Sequence, residues 1–122
     1  MIIKRRMHMT QQNIIDFCKS NHMCAILDKN GNVLVLGYNY YVSSGRTIHA
    51  EVDAFNRLYT KFGRMSRKII INLVVIRTTG GNSKPCDNCQ TYIKRMKMNY
   101  NIRNIYFSNN NFDIDMIKFT NL

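Results

Sequence analysis

The sequence has no tryptophan, a single proline and a single glutamate, and only seven acidic side chains stand against eighteen lysines and arginines in its 122 residues. One proline and six glycines exclude a collagenous or proline-rich low-complexity chain, and an apolar share of 45% excludes one too polar to fold. No apolar run approaches the roughly 20 residues a helix needs to cross a bilayer. Met1, Ile2 and Ile3 run straight into Lys4, Arg5 and Arg6, without the apolar core of a signal peptide. The expectation is a cytoplasmic protein with no membrane partner. In that compartment four cysteines stand as reduced thiols or metal ligands rather than as a disulfide framework.

What is plentiful is positive charge. A formal net charge of +11 points to a polyanionic partner, nucleic acid or a phosphorylated small molecule. Composition offers a plainer source: Ile, Asn, Lys, Tyr and Met crowd the chain, a usage that an A/T-rich coding sequence produces and that raises lysine whatever the ligand. Nine of the basic residues are arginines, which such a bias explains less well. The length is that of one domain, 1–122, with one core.

Periodicity gives the elements. Residues 10–20 place Ile14, Ile15, Phe17 and Cys18 on one stripe behind Thr10 as N-cap, a first amphipathic helix. Residues 23–27 and 33–37 are short apolar runs around Asn30-Gly31, which predicts an antiparallel hairpin. Residues 38–46 form a loop rich in Tyr, Ser and Gly. From His49 the pattern is helical, with Val52, Phe55, Leu58, Tyr59 and Phe62 at spacings of three and four, and Gly63 ends it. A basic turn at 64–68 precedes the β-branched run 69–76, a central strand covered on both faces. After a loop at 78–84, Pro85 opens a helix over 86–98, and 102–108 is a further strand. This alternation predicts an α/β sheet of four to five strands with parallel neighbours and right-handed crossovers. Too few residues follow 108 for another crossover, so a closing strand at 116–120 must run antiparallel and make the sheet mixed.

Two short stretches carry chemistry. The first is Thr47-Ile48-His49-Ala50-Glu51-Val52 and the second is Pro85-Cys86-Asp87-Asn88-Cys89. Cys86 and Cys89, at i and i+3, are neighbours on one helix face at a helix N-terminus, where the dipole favours thiolate. His49 supplies a third ligand, and three protein ligands with an open fourth position are the arrangement of a catalytic zinc. His49 and Glu51, at i and i+2, point the same way only where the chain is still extended, so the helix should begin at or just after the histidine. Glu51 then lies beside the metal without being needed as a ligand and can move protons to and from the metal's water. A closed structural zinc site would instead need a fourth ligand from Cys18, Cys24, His8 or His22 and would have no use for Glu51. Cys18 and Cys24 read as buried core thiols, and His8 and His22 as surface residues.

The pattern H-x-E…P-C-x-x-C is that of zinc-dependent nucleobase deaminases, and nearly the whole chain resembles the cytidine and deoxycytidylate deaminase superfamily. The resemblance implies the three-layer α/β/α deaminase fold, Zn2+ held by His49, Cys86 and Cys89, and Glu51 as proton shuttle. It implies substrate contacts from Asn39, from the backbone near Ala50, and around Tyr41 and Pro85. It also implies a small nucleoside or nucleotide substrate and assembly as a homo-oligomer, dimer or tetramer. Hydroxide attack at C4 of cytosine, or at C6 of adenine, expels ammonia. Branch features diverge. A histidine as first ligand resembles the deoxycytidylate, transfer-RNA and polynucleotide-editing branches, whereas the short antiparallel ending resembles free-nucleoside enzymes. Those enzymes commonly carry a glutamate where Tyr41 stands and an arginine where Gln90 follows the second cysteine. The 33 residues between Glu51 and Pro85 slightly exceed the family's usual spacing. Residues 78–84, with Tyr38, Tyr40 and Tyr41, are where base stacking is expected. Alongside a deaminase of free cytosine nucleosides or nucleotides stand a deaminase of single-stranded DNA or RNA, transfer-RNA adenosine included, and a catalytically silent nucleic-acid-binding module.

Overall fold

The computed structural model describes residues 22–42, 47–77, 81–111 and 113–122. The helix expected at 10–20, together with His8 and Cys18, lies outside the described residues. Among the described residues seven strands and two helices follow one another: β1 (His22–Asp28), β2 (Val33–Tyr38), β3 (Tyr40–Tyr41), β4 (Thr47–Ile48), α1 (Ala50–Phe62), β5 (Ile70–Arg77), α2 (Asp87–Met96), β6 (Asn101–Ser108) and β7 (Ile114–Lys118). A short 3₁₀ turn, Phe119–Asn121, closes the chain.

The hairpin forms where Asn-Gly predicts it. Asp28 Oδ1 accepts the backbone N–H groups of Asn30 at 2.8 Å and Asn32 at 2.9 Å, and Gly31 supplies the positive φ of 86° that the turn requires. The five main strands lie in the order β2-β1-β5-β6-β7. Here the sequence expectation needs correcting. β1 is antiparallel to both β2 and β5, and among the described residues β5 and β6 are the one parallel neighbouring pair. The crossover through α1 does make β5 parallel to β2, but β1 sits between them, because the hairpin's first strand rather than its second lies toward the sheet centre. β5 is central as expected. β7 closes the sheet antiparallel to β6, two residues earlier than the sequence suggests. The expected loop at 38–46 also contains a small ladder, in which Tyr40 pairs with Ile48 and Tyr41 with Thr47.

The central strands are buried on both faces, and both described helices pack on one of these faces. Ile26, Ile71, Leu73, Val75 and Ile105 on one face pack with Ala54, Phe55 and Leu58 of α1 and Ile93 of α2. Met23, Ala25, Leu27 and Val74 form the buried cluster on the other. Phe55 joins the two helices, its ring 5.9 Å from that of Tyr92 and 5.7 Å from that of Tyr100. The buried line of α1 runs through Ala50, Ala54 and Leu58, so Tyr59 and Phe62, which periodicity assigns to the apolar stripe, are exposed instead. Small residues dominate that line because α1 lies directly on β2: a Cβ at Gly37 would stand 2.3 Å from the Ala54 backbone nitrogen and 2.5 Å from the Ala50 carbonyl oxygen. Only glycine permits this approach, and it brings the start of α1 to the end of β2.

Candidate metal centre and active site

His49 is the N-cap of α1, with extended backbone at φ −74° and ψ 153°, and Cys86 is the N-cap of α2, extended at φ −68° and ψ 170°. Neither side chain caps its own helix. They turn toward each other instead: His49 Nδ1 is 3.1 Å from Cys89 Sγ and 3.7 Å from Cys86 Sγ. All three ligand atoms lie within 4.8 Å of one another. The extended turn before α1 is what the i, i+2 spacing of His49 and Glu51 demands. Pro85 lies one residue before the N-cap rather than inside the helix, and α2 ends at Met96, two residues short of the expected end.

Glu51, in the first turn of α1, is 4% exposed. Burial raises its carboxyl above the ordinary carboxylate value, opposed by a bond to its own backbone N–H, a hydrogen bond with the Cys89 thiol and the nearby His49. Cys89 is buried beside it, and desolvation first, then the Glu51 carboxylate and Cys86, push its thiol well up. A buried carboxyl and two thiols around one imidazole are thus electrostatically short of a cation. One imidazole and two sulfurs are the soft, borderline donor set that zinc takes, and a divalent ion there would displace the thiol protons. The cluster fits Zn2+. Among the described residues it holds three ligands, as an open catalytic site requires. Cys24 is fully buried in the core, and neither it nor His22 joins the cluster.

A model of the cytidine and deoxycytidylate deaminase zinc-binding region matches residues 3–108. The chain belongs to this family. Two solved cytidine deaminases share the deaminase fold. That of Mycobacterium leprae superposes with a TM-score of 0.57 at 15% identity, covering 87% of this chain and 88% of that one. That of Burkholderia pseudomallei gives 0.58 at 18% identity, covering 90% and 93%. A sequence search among curated proteins finds no match. Among the described residues no helix is long and apolar enough to cross a membrane.

The other residues that the deaminase resemblance singles out have assorted surroundings. Asn39 Oδ1 accepts the His22 backbone N–H at 3.0 Å and so ties the end of β2 to the start of β1. Ala50 is fully buried against Gly37, and Pro85 is buried with its carbonyl accepting from Gln90 Nε2 at 2.9 Å. Tyr41 is placed by its backbone pairing with Thr47. Tyr40 is 44% exposed, whereas the Tyr38 ring lies beneath the Arg57 guanidinium at 5.8 Å. His22 is no surface residue. It is half-buried, its Nε2 has no partner among the described residues, and burial, then Arg77 and His49, lower its pKa.

Two residues of this deaminase site escaped the sequence reading. Asp53, 6% exposed, accepts the Tyr38 backbone N–H at 2.9 Å and the Arg57 Nε–H at 2.8 Å, which locks the first turn of α1 to the end of β2. Its signal was its place two residues after Glu51 in an acid-poor chain, four before an arginine. Ser83, 3% exposed, sits in the loop before Cys86, and a lone serine in a polar loop carries no signal at all.

Proposed function

We propose that this deaminase hydrolyses the exocyclic amine of a cytosine nucleoside or nucleotide, of the cytidine, deoxycytidine or deoxycytidine monophosphate class, giving the uracil product and ammonia. The observation that carries the reading is Glu51, buried against a three-ligand cluster that has no structural need of a carboxylate. His49, Cys86 and Cys89 would hold the zinc, which would supply a Lewis-acidic centre able to make a water acidic near neutral pH. Glu51 takes a proton from the attacking water and delivers it to ring N3 as the new C4–O bond forms. Glu51 then takes the proton of the new C4 hydroxyl and passes it to the exocyclic nitrogen, so that the C4=O bond forms as the C4–N4 bond breaks and ammonia departs. Asn39, the Ala50 backbone, Tyr41 and Pro85 are, in this reading, the substrate contacts that orient the ring. In this reading the chain is a single cytoplasmic domain assembled as a dimer or tetramer, for which the exposed Tyr59 and Phe62 offer apolar surface.

The test is zinc content together with ammonia release. Purified protein should carry about one zinc per chain and release ammonia from at least one of cytidine, deoxycytidine and their monophosphates. Silence on all of these and on oligonucleotides, with zinc bound, overturns the reading. The charge of +11 favours a second substrate class, single-stranded DNA or RNA bases, transfer-RNA adenosine included. Activity confined to oligonucleotides would promote it. Zinc-loaded protein that binds oligonucleotides without releasing ammonia would be a silent nucleic-acid-binding module.

A further inference from the structure

The parallel ladder between β5 and β6 ends at the pair Val75 and Phe107. Beyond it the strands part, leaving the Val75 carbonyl, the Arg77 N–H and both backbone groups of Ser108 to find other partners. Ser83, in the loop that leads to Cys86, fills that gap. Its hydroxyl is 2.6 Å from the Val75 carbonyl oxygen, 2.7 Å from Ser108 Oγ and 3.2 Å from the Ser108 carbonyl oxygen. It accepts the Ser108 N–H at 2.8 Å, while the Ser83 N–H donates to the Ser108 carbonyl at 2.9 Å. Ser108 Oγ in turn accepts the Arg77 N–H at 3.1 Å. One set of protons satisfies the knot: the Ser83 O–H donates to Val75, the Ser108 O–H donates to Ser83, and each oxygen accepts one N–H.

Three residues along the chain is Cys86. Unlike Cys89, which is buried on α2, Cys86 is exposed and stands farther from His49 Nδ1, at 3.7 Å against 3.1 Å. Little packs around its side chain, so its backbone must fix the sulfur. That backbone is held ahead of it by the Ser83 knot and at Pro85, whose carbonyl accepts from Gln90 Nε2 at 2.9 Å, while the Cys86 carbonyl itself accepts the Gln90 N–H at 2.8 Å. The Asn82 side chain, accepting the Lys84 N–H at 2.8 Å, leaves little slack between knot and ligand. We infer that Ser83 is a positioning residue of the metal centre, setting where Cys86 stands relative to His49 and Cys89, with Gln90 as the second clamp. The inference rests on the zinc reading of the site.

The test compares zinc affinity, by chelator competition, and the thiolate charge-transfer and d–d absorption of the cobalt(II)-substituted protein across wild type, Ser83→Ala, Ser83→Thr, Ser108→Ala and Gln90→Ala. Thermal unfolding of each metal-free chain is measured beside them. Ser83→Ala should lower zinc affinity about tenfold or more, the scale seen when support to a metal ligand is removed, and should alter the cobalt spectrum. Ser83→Thr, which keeps the hydroxyl, should restore both. Ser108→Ala leaves Ser83 its bonds to Val75 and to the Ser108 backbone, so it should lower the unfolding temperature while leaving affinity near wild type. Equal affinity losses in Ser83→Ala and Ser108→Ala, or none in Ser83→Ala, overturn the inference while the zinc reading stands. A wild-type chain that binds no zinc overturns the zinc reading itself. Should Ser83→Ala fail to fold, Gln90→Ala decides, since the clamp it removes lies at the exposed start of α2: unchanged affinity and spectrum there also overturn the inference.

Discussion

At the scale of single residues, the site divides into groups that act and groups that hold them. In the proposed reaction Glu51 belongs to the first kind. Replacing it by glutamine keeps shape and most hydrogen bonds but removes the transferable proton. Glu51→Gln should therefore retain about one zinc per chain while ammonia release falls by about 10²–10⁴-fold, the usual range for removing a general acid–base group. Metal analysis beside a coupled ammonia assay checks both halves. His22 gives a pH prediction of definite sign. Burial, Arg77 and His49 lower its folded pKa, whereas the unfolded chain takes up the proton below about pH 6.5. The unfolded state then binds more protons, so the His22 contribution to stability is neutral above that pH and turns unfavourable as pH falls toward the lowered folded value. Urea midpoints of wild type and His22→Gln should diverge between neutral and mildly acidic pH, with wild type losing more, and parallel curves would refute the assignment. The His49, Cys86 and Cys89 cluster and the Glu51 buried beside it were legible because rare residue types stand at fixed spacings. Asp53 and Ser83 were not, since their roles come from backbone groups that fold into reach only in three dimensions: the end of β2 for one, the parting of β5 and β6 for the other.

At the scale of elements, the site depends on how closely α1 lies on β2. Gly37 sets that distance, and the atoms facing it are helix backbone, which cannot swing aside as a side chain can. Gly37→Ala must therefore push the start of α1 outward, carrying His49 and Glu51 away from the cysteines. The overpacking costs about 1–3 kcal/mol. Phe55→Ala, by contrast, opens a cavity between α1 and α2 at a cost of about 3–5 kcal/mol yet leaves the Gly37 contact intact. The two variants should rank oppositely: Phe55→Ala loses more in denaturant midpoint, Gly37→Ala loses more in zinc affinity. Identical ranking by both measures would show that the α1 approach does not govern the site. Element types were readable from hydrophobic period and turn residues: the hairpin and the starts of both site helices stand where the pattern puts them, while α2 ends and β7 begins two residues early. Strand neighbours were not readable. Nothing in the hairpin's sequence says which of its strands faces the sheet interior, and that single choice turns the expected parallel neighbour of β5 into antiparallel β1. The exposed Tyr59 and Phe62 mislead for a related reason. Periodicity counts large apolar residues, while the contact of α1 with β2 is made by Ala50, Ala54 and Gly37.

At the scale of the whole molecule, the charge of +11 understates how basic the exterior is, because two of its seven acids, Glu51 and Asp53, are buried. Among the described residues the one ion pair is Arg57 with Asp53, so most of the basic side chains face solvent without a carboxylate beside them. A field of this sign raises the encounter rate with anionic substrates and leaves neutral ones alone, and salt removes the advantage as the screening length shrinks from about 10 Å at 0.1 M to about 3 Å at 1 M. The ratio of kcat/KM for deoxycytidine monophosphate to that for deoxycytidine should therefore fall as salt is raised, the nucleoside value itself changing little. Because both substrates share the base, the ring chemistry and Glu51, the ratio cancels any effect of salt on folding or metal binding. An oligonucleotide substrate should fall more steeply still, since each phosphate contact adds roughly one unit to the slope of log affinity against log salt. A ratio that stays flat across this range would mean that the lysines and arginines reflect composition, and that substrate choice is made by uncharged contacts at Asn39, Tyr41 and the loop before Cys86.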